Sequence, residues 1–444
     1  MSGVCIENSL TEIEQIMKSI SIYIHIPFCV KKCQYCDFLS APADSRAQEV
    51  YLRALKQEIR EQAARYREYE VQTVFIGGGT PTAVPCEKLC EVLKTVFTCY
   101  RVNPQAEISM EANPGTVTKE ALLSYRKAGI NRLSIGLQST DDGELKLLGR
   151  IHTYRDFLQT YRWAQEAGFT NINLDIMSAL PGQSVENYKK TLETVLSLRS
   201  QHISAYSLIV EEGTPFYEKY GQESEKLQAT GEKQPDLPSE EEEREMYALT
   251  EKLLAAAGYH RYEISNYALP GRECRHNLVY WKRGNYVGFG LGAASMVENV
   301  RFENIREMQE YLAEYAGMPD AEPVFAEVAQ GDAQVLSNEQ EFYLREDTHS
   351  ENEQELSIRE NVHPLSPQEQ MEETMFLGLR LTEGVSKAEF HRQFGVSMEQ
   401  IYGEVIRKNT AKGLLIDEAG YVCLTREGMD LSNYVMAQFL LDEV

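Results

Sequence analysis

Six short runs rich in β-branched and apolar residues alternate with longer amphipathic segments between about residues 20 and 210. The runs are IYIHIPF (22–28), TVFIGGG (73–79), EISMEAN (107–113), RLSIGLQ (132–138), NINLDIM (171–177) and HISAYSL (202–208). Strands that alternate with helices in this way form a parallel sheet. Because two more units would be needed to close a full barrel, two architectures remain: a doubly wound sheet or an incomplete (β/α) barrel.

The segments between these runs carry the signals of crossover helices. TYRDFLQTYRWAQEAG (153–168) opens with Thr153 and Asp156 at the spacing of a capping box and closes at Gly168. SVENYKKTLETVLSL (184–198) has a similar amphipathic pattern. Both segments therefore predict helices that return the chain to the same edge of the sheet.

Polar residues and glycines follow almost every predicted strand. Cysteines follow the first strand and GGGTPT (77–82) follows the second, while Glu111, Gln138, Asp175 and Tyr206 stand near the ends of the other four. A barrel gathers its active site at the carboxyl ends of its strands, whereas an open sheet concentrates it at one switch point. The distribution favours an α/β fold with an incomplete parallel (β/α)6 barrel.

Beyond the barrel the pattern changes several times. The expected division is an N-terminal extension (1–20), the barrel (21–215), an extension of the barrel (216–317), an acidic insertion or linker (318–366) and a C-terminal domain (367–444). The insertion is polar with little periodicity, so we expect part of it to be disordered. Helical spacing followed by a hairpin and a last helix predicts a small winged-helix-like α+β domain at the C-terminus.

Charge, hydropathy and cysteine content argue against several classes of protein. The 444 residues carry a formal net charge of −24, and this acidic balance repels nucleic-acid phosphates and anionic lipids. No apolar run approaches the length of a membrane span, and residues 1–20 lack the pattern of a secretory signal. Nine cysteines, an odd number in a large chain, indicate a reducing compartment. We expect a cytoplasmic protein with free or metal-bound thiols, no membrane span and no nucleic-acid partner.

Three cysteines, Cys29, Cys33 and Cys36, follow the first predicted strand. Their spacing would also suit a buried helical stripe, but Pro27 precedes them and two lysines lie among them. Three thiols are one short of the four ligands of a closed zinc or iron–sulfur site. His25 could complete a zinc site, although it lies within the strand. An iron–sulfur cluster can instead accept three thiolates and leave one iron open for another ligand.

The C-x3-C-x2-C pattern, with Tyr35 before its last cysteine, resembles the signature of radical S-adenosylmethionine (radical SAM) proteins. The resemblance implies that Cys29, Cys33 and Cys36 hold a [4Fe-4S] cluster whose open iron is chelated by S-adenosylmethionine. An electron then cleaves the sulfonium, so the hard chemistry belongs to the cofactors. It also implies an electron donor of the flavodoxin or ferredoxin type.

The same resemblance implies a binding set for S-adenosylmethionine. Glycines in GGGTPT let the backbone approach the methionine moiety closely. Arg150 suits a carboxylate because its guanidinium can bind two oxygens at once, and Asp175 or Glu111 can accept hydroxyl groups of the ribose. The full set is Tyr23, Tyr35, Gly77, Gly78, Gly79, Thr80, Glu111, Gln138, Arg150 and Asp175.

Further motifs narrow the resemblance. The chain resembles the group that contains oxygen-independent coproporphyrinogen III oxidase and the haem chaperone HemW. Six motifs carry this resemblance: IHIPFC, CDF, GGGTPT, LGRIH, LPGQ and HNLVYW. The oxidase has a further cysteine two residues after the third cluster ligand, where this chain has Phe38. The family usually has glycine before the leucine of LPGQ, where this chain has Ala179.

HNLVYW matches the haem motif of the chaperones. The match implies that His276 ligates haem iron and that Tyr280 and Trp281 pack on the porphyrin, with Cys274 as an alternative ligand. Two functions follow from the resemblance. The first is a haem chaperone that delivers haem to respiratory proteins. The second is oxidative decarboxylation of coproporphyrinogen III, or another radical SAM reaction on a tetrapyrrole. Whether the chain is an enzyme is left open.

Overall fold

A computed structural model describes residues 17–221, 235–315 and 358–441. None of the helices within these ranges has both the length and the apolar character needed to cross a membrane. The strands are β1 (Lys18–Ile26), β2 (Tyr69–Gly78), β3 (Val102–Ala112), β4 (Arg132–Gln138), β5 (Ile172–Ser178), β6 (His202–Ser207), β7 (His260–Arg261), β8 (Asn266–Ala268), β9 (Tyr286–Phe289), β10 (Ala294–Val297), β11 (Val300–Asn304), β12 (Arg359–Pro364), β13 (Val385–Ser386), β14 (Leu415–Glu418) and β15 (Tyr421–Leu424). The helices are α1 (Ser45–Gln62), α2 (Cys86–Cys99), α3 (Lys119–Lys127), α4 (Asp142–Leu147), α5 (Tyr154–Glu166), α6 (Val185–Leu198), α7 (Pro215–Tyr220), α8 (Glu240–Ala256), α9 (Arg275–Trp281), α10 (Met308–Glu314), α11 (Pro367–Gly378), α12 (Lys387–Phe394), α13 (Met398–Ala411), α14 (Arg426–Asp430) and α15 (Ser432–Ala437).

The six predicted strands are confirmed as β1 to β6, which lie side by side in chain order and are parallel. A doubly wound sheet would reverse its strand order at a switch point, and this sheet does not. Strands β1 and β6 do not pair with each other, so the barrel is incomplete. Its core is apolar because the strands are covered on both faces; Ile22, Ile76, Leu133 and Leu174 are fully buried.

The predicted crossover helices are confirmed as α5 and α6. The Thr153 side chain accepts a hydrogen bond from the backbone N–H of Asp156, whose carboxylate accepts one from the backbone of Thr153. This capping box satisfies amide groups that would otherwise lack partners at the start of α5. At the start of α6 the Ser184 side chain accepts a hydrogen bond from the backbone N–H of Asn187, without a reciprocal bond.

The sheet extends beyond the predicted barrel at both edges. At one edge β8 and β7 continue antiparallel from β6, and at the other β9 pairs parallel with β1 and leads to β10, β11 and β12. These strands were not predicted, because runs of two to six residues carry little alternation. β12 lies within the interval expected to be an acidic insertion. Residues 318–357 of that interval, and with them most of the disorder expected there, fall outside the described residues, as do residues 1–16.

The predicted small C-terminal α+β domain is confirmed. β13, β15 and β14 form a separate antiparallel sheet with helices α11 to α15 around it. Met375, Phe390, Tyr402, Val422 and Phe439 form the centre of its own apolar core. The domain meets the barrel where α11 packs beside α9.

Candidate functional site

The loop between β1 and α1 holds the three cysteines. It is closed on itself by hydrogen bonds from the Ala41 amide to the Pro27 carbonyl (3.0 Å) and from the Cys29 amide to the Ala41 carbonyl (3.1 Å). Cys29, Cys33 and Cys36 are free thiols of intermediate exposure that line one cavity of about 140 Å³.

The three thiols share one cavity. Among the described residues no three cysteine, histidine or carboxylate side chains already converge on a position for a single ion. A [4Fe-4S] cluster needs its thiolates spread around a common space, and these three residues meet that requirement. Burial raises the pKa of the Cys36 thiol, so metal binding must supply the free energy to ionise it.

The glycines after β2 allow two strand ends to meet beside the cysteines. The amide of Gly79 donates to the Ile26 carbonyl at 2.8 Å. A Cβ on Gly79 would lie 2.6 Å from the carbonyl oxygen of Phe28, and one on Gly78 would lie 2.6 Å from the His25 ring. Side chains at these positions would therefore force the strand ends apart. Thr80, which follows, places its hydroxyl 3.5 Å from the sulfur of Cys29.

Two half-buried carboxyl groups, Glu111 on β3 and Asp175 on β5, line the same cavity. Burial, followed by the nearby charge of Asp175, raises the pKa of Glu111 to about 8. Burial also raises the pKa of Asp175, which accepts hydrogen bonds from Ser134 (3.0 Å) and Asn173 (2.7 Å). Burial thus favours the protonated form of Glu111, whereas Asp175 has the donors that stabilise a carboxylate. One group can donate to a ligand oxygen and the other can accept from a hydroxyl.

Arg150 links the cysteine loop to the sheet. One Nη donates to the side chain of Asn113 (2.6 Å) and to the carbonyl of Gly136 (2.8 Å), and the other lies 3.6 Å from the sulfur of Cys33. The guanidinium is thus held where it can stabilise an anionic thiolate or a ligand carboxylate. Gln138 is nearby at the end of β4, in the left-handed region with φ of 68°.

The structure brings most of the predicted cofactor residues together. The cysteine cavity is lined by Tyr35, Gly78, Gly79, Thr80, Glu111, Gln138, Arg150 and Asp175 as well as the three cysteines. Tyr23 lies in the two adjoining cavities, and Gly77 is packed against the Glu111 side chain. Sequence reasoning missed Asn113, Ser134 and Gly136, which share this lining. Ser134 and Gly136 precede Gln138 at intervals of two, so the strand period could have indicated them.

The HNLVYW motif forms α9, whose start is fixed by a carboxylate from the barrel. Glu107 on β3 accepts hydrogen bonds from the amides of Arg275 (3.1 Å) and His276 (3.2 Å), a favourable place for negative charge. His276 is buried and stacks on Phe75, with ring centroids 5.2 Å apart. Burial lowers its pKa to about 3, so the imidazole is neutral and able to ligate a metal.

Both ring nitrogens of His276 have partners within the chain. Nδ1 lies 2.6 Å from the hydroxyl of Thr73, and Nε2 lies 2.8 Å from the hydroxyl of Tyr280. Cys274, the alternative haem ligand, is fully buried with its sulfur 3.6 Å from Glu107. Burial raises the pKa of Cys274 to about 12, which disfavours the thiolate that would bind iron.

Two larger cavities meet at Tyr280. One, of about 570 Å³, is lined by Tyr280, Trp281 and Tyr286; we call it the α9 cavity. The other, of about 510 Å³, contains His276 and Asp175. Both are also lined by Tyr23, Phe38 and Glu111, so they adjoin each other and the cysteine loop.

Known proteins share both the sequence and the architecture. The radical SAM superfamily model matches residues 23–195, and the HemN C-terminal domain model matches residues 365–431. The heme chaperone HemW of Bacillus subtilis (strain 168) is 36% identical over 421 residues, which cover 95% of this chain and 99% of that protein. The chain belongs to the HemW family of radical SAM proteins.

Two further relatives and a solved structure extend this result. The heme chaperone HemW of Lactococcus lactis subsp. lactis (strain IL1403) is 32% identical, and the match covers 97% of this chain and 99% of that protein. The mitochondrial radical S-adenosyl methionine domain-containing protein 1 of Danio rerio is 30% identical. The match covers 95% of this chain and 87% of that protein. The structure of Escherichia coli HemN, a coproporphyrinogen III oxidase, has a TM-score of 0.74 over 96% of this chain and 91% of its own at 21% identity, a likeness that supports the fold alone. Membership of the radical SAM superfamily implies a [4Fe-4S] cluster and S-adenosylmethionine.

Proposed function

We propose that this chain is a haem chaperone, which binds haem, a [4Fe-4S] cluster and S-adenosylmethionine and delivers haem to respiratory proteins. The observation that carries the proposal is its similarity to the heme chaperone HemW of Bacillus subtilis over 99% of that protein. The α9 cavity, with aromatic walls beside the haem motif, supports it. Phe38, standing where the oxidase has a further cysteine, favours the chaperone over the oxidase.

In this proposal the cysteine cavity holds the radical SAM cofactors. Cys29, Cys33 and Cys36 would hold the cluster, which together with S-adenosylmethionine supplies one-electron chemistry when bound. Arg150 is placed for a ligand carboxylate. Protonated Glu111 is placed to donate to a ligand oxygen, while the predicted ribose contacts include Asp175.

Haem would lie where the α9 cavity meets the adjoining cavity at Tyr280, and His276, which lines the adjoining cavity, would ligate its iron. The contact between Nδ1 and Thr73 fixes the ring, in the way that a second hydrogen bond usually orients a metal-binding histidine. To reach the iron, Nε2 must exchange the hydroxyl of Tyr280 for the metal. The rings of Tyr280 and Trp281 offer apolar area to the macrocycle.

An electron donor of the flavodoxin or ferredoxin type would dock at the cysteine loop. Val30 and Phe38 are 58% and 59% exposed there, although both are large and apolar. Lys31 and Lys32 lie between them in the sequence and also face the cysteine cavity. In a chain with a net charge of −24 this positive, apolar surface suits an acidic partner.

The test combines haem titration with a decarboxylation assay on the reconstituted protein. We expect saturable haem binding, and we expect coproporphyrinogen III to stay intact in the presence of S-adenosylmethionine and a reductant. Steady conversion to protoporphyrinogen IX would establish the oxidase instead. Failure of the unmodified protein to bind haem would remove the chaperone function.

A further inference from the structure

The wall of the α9 cavity carries two arginines and two acidic residues. Arg301 on β11 and Arg306 just after β11 line one part of its wall. Asp37 and Glu111, which adjoin the cysteine loop, line another. The same wall carries Tyr280, Trp281, Tyr286 and Met296, so the cavity combines apolar surface with two guanidinium groups.

Arg301 is held in place by the C-terminal domain. Its Nε donates to one oxygen of Glu373 at 2.8 Å, and the other oxygen accepts from Nε of Arg283 at 3.0 Å. One carboxylate therefore orients two guanidinium groups and neutralises only one of them. Arg283 is nearly buried, whereas the Arg301 side chain is 37% exposed, so the cation that keeps access to the cavity is Arg301.

Arg306 has a weaker partner. Its side chain is 61% exposed, and its guanidinium lies 3.8 Å from Glu303, which also accepts a hydrogen bond from Asn361. Such an exposed pair contributes little, so the guanidinium can turn to another anion. Its charge reaches the cavity, because Arg306 adds to the effect of burial in lowering the pKa of His25, a residue of the cavity wall.

We propose that Arg301 and Arg306 form a carboxylate-binding end of the α9 cavity that receives the propionate groups of haem. The inference rests on the proposed function and deepens it, since it fixes the direction in which haem lies. The macrocycle crosses Tyr280 and Trp281, and the propionates point toward the two arginines and away from Asp37, whose carboxylate would repel them. Guanidinium groups suit this role because each can bind both oxygens of a carboxylate.

The experiment compares two probes, haem and haem dimethyl ester, which differ in whether the propionates carry charge. Arg306→Gln in the full chain should weaken haem binding roughly tenfold, as expected for a partly screened charge-assisted hydrogen bond. The same substitution should change the affinity for the diester less than about twofold. Arg301→Gln should show the same selectivity, because Glu373 would still be held by Arg283.

A matched control comes from the C-terminal domain. Arg392 forms an exposed ion pair with Glu389 three residues earlier, at 3.6 Å, as Arg306 does with Glu303. It is absent from the wall of the α9 cavity, so Arg392→Gln should leave the binding of both probes unchanged. If Arg306→Gln weakens both probes equally, or neither, the carboxylate assignment is wrong while the chaperone function stands. If the unmodified chain binds neither probe, both proposals fall.

Discussion

The hydroxyl of Tyr280 lies 2.8 Å from Nε2 of His276, one helical turn away on α9. Because Nδ1 of the same ring contacts Thr73, the imidazole has no free nitrogen for a metal. In the proposed function, haem ligation by His276 would therefore be an exchange, in which iron replaces a tyrosine hydroxyl. The HNLVYW motif therefore contains both the histidine and the tyrosine whose hydroxyl occupies its Nε2.

Replacing Tyr280 with phenylalanine should strengthen haem binding. The ring that packs on the porphyrin remains while the competing hydrogen bond, worth about 1 kcal/mol, is removed, so we expect roughly fivefold tighter binding. Tyr161→Phe, which removes a hydroxyl bonded to the Leu198 carbonyl, is the control and should leave haem binding unchanged.

His276→Ala should shift the haem absorption spectrum and weaken haem binding, while the iron content of the cluster stays unchanged. An unaltered spectrum in His276→Ala would exclude this residue as the ligand.

Alanine at Cys29, Cys33 or Cys36 should abolish the cluster. We expect about four irons and matching sulfide in the anaerobically reconstituted protein, and near-complete loss in each variant. Cys86, Cys90, Cys99 and Cys423 lie elsewhere in the fold, so their alanine variants should keep full iron content. Zinc without sulfide in the purified protein would contradict the assignment.

Ala179→Gly should stabilise the protein. Ala179 is buried with φ of 57°, a left-handed conformation that costs a residue with a Cβ about 1 kcal/mol. Thermal unfolding should therefore shift upward. The control is Ala167→Gly at the end of α5, where φ is −74° and glycine should instead destabilise by about 0.5–1 kcal/mol. A lower midpoint in Ala179→Gly would mean that the left-handed strain is absent.

Glu373→Ala should loosen the C-terminal domain. The carboxylate is shared by Arg283 and Arg301, and its loss leaves the nearly buried Arg283 unpaired, at a cost of about 3 kcal/mol. Denaturant unfolding and limited proteolysis would measure the effect. Lys282 and Glu383 also join the two parts of the chain but are exposed, so Glu383→Gln should cost less than about 1 kcal/mol. Equal effects would show that burial of the pair is unimportant.

Stability should fall as pH rises toward 7, in a way that depends on Glu58. This residue of α1 accepts hydrogen bonds from Gly290 (2.8 Å), Asn304 (2.6 Å) and Tyr311 (2.6 Å), and burial raises its pKa to about 7. Between the ordinary carboxyl pKa and 7 the folded chain keeps a proton that the unfolded chain has released. Unfolding is thus favoured as pH rises through this window, by at most about 3 kcal/mol.

Thermal unfolding of Glu58→Gln at pH 5.5 and pH 8 isolates this contribution. The unmodified protein should lose more stability between the two pH values than the variant does, whatever their absolute midpoints. Glu61→Gln, one turn further along α1 and more exposed, should keep the slope of the unmodified protein. Parallel slopes for Glu58→Gln and the unmodified protein would place the pKa of Glu58 near its ordinary value.

The barrel could be predicted from sequence because its strands are long and its helices carry caps. β4 coincides with RLSIGLQ, and the capping box at Thr153 appears as expected. The strands that extend the sheet could not be predicted in the same way. β7 and β8 have two and three residues, and their pairing depends on contacts far along the chain.

The predicted site was closest to the structure where residues follow one another in the chain. Cys29, Cys33 and Cys36 meet around one cavity because a single short loop carries them. The surroundings of His276 could not be foreseen, since Thr73 and Glu107 come from distant strands. The HNLVYW motif predicts His276 as a haem ligand, but it does not predict that Thr73 holds the His276 ring.

The course of α9 has a mechanical consequence. β8 belongs to the β6 edge of the partial barrel and β9 to the β1 edge, and α9 lies between them in the chain. In space α9 contacts two strands between those edges, through Thr73 of β2 and Glu107 of β3. The haem motif therefore connects the edges of the sheet to its middle. Inserting residues on either side of α9, within 269–274 or 282–285, should loosen these contacts and lower the midpoint of thermal unfolding.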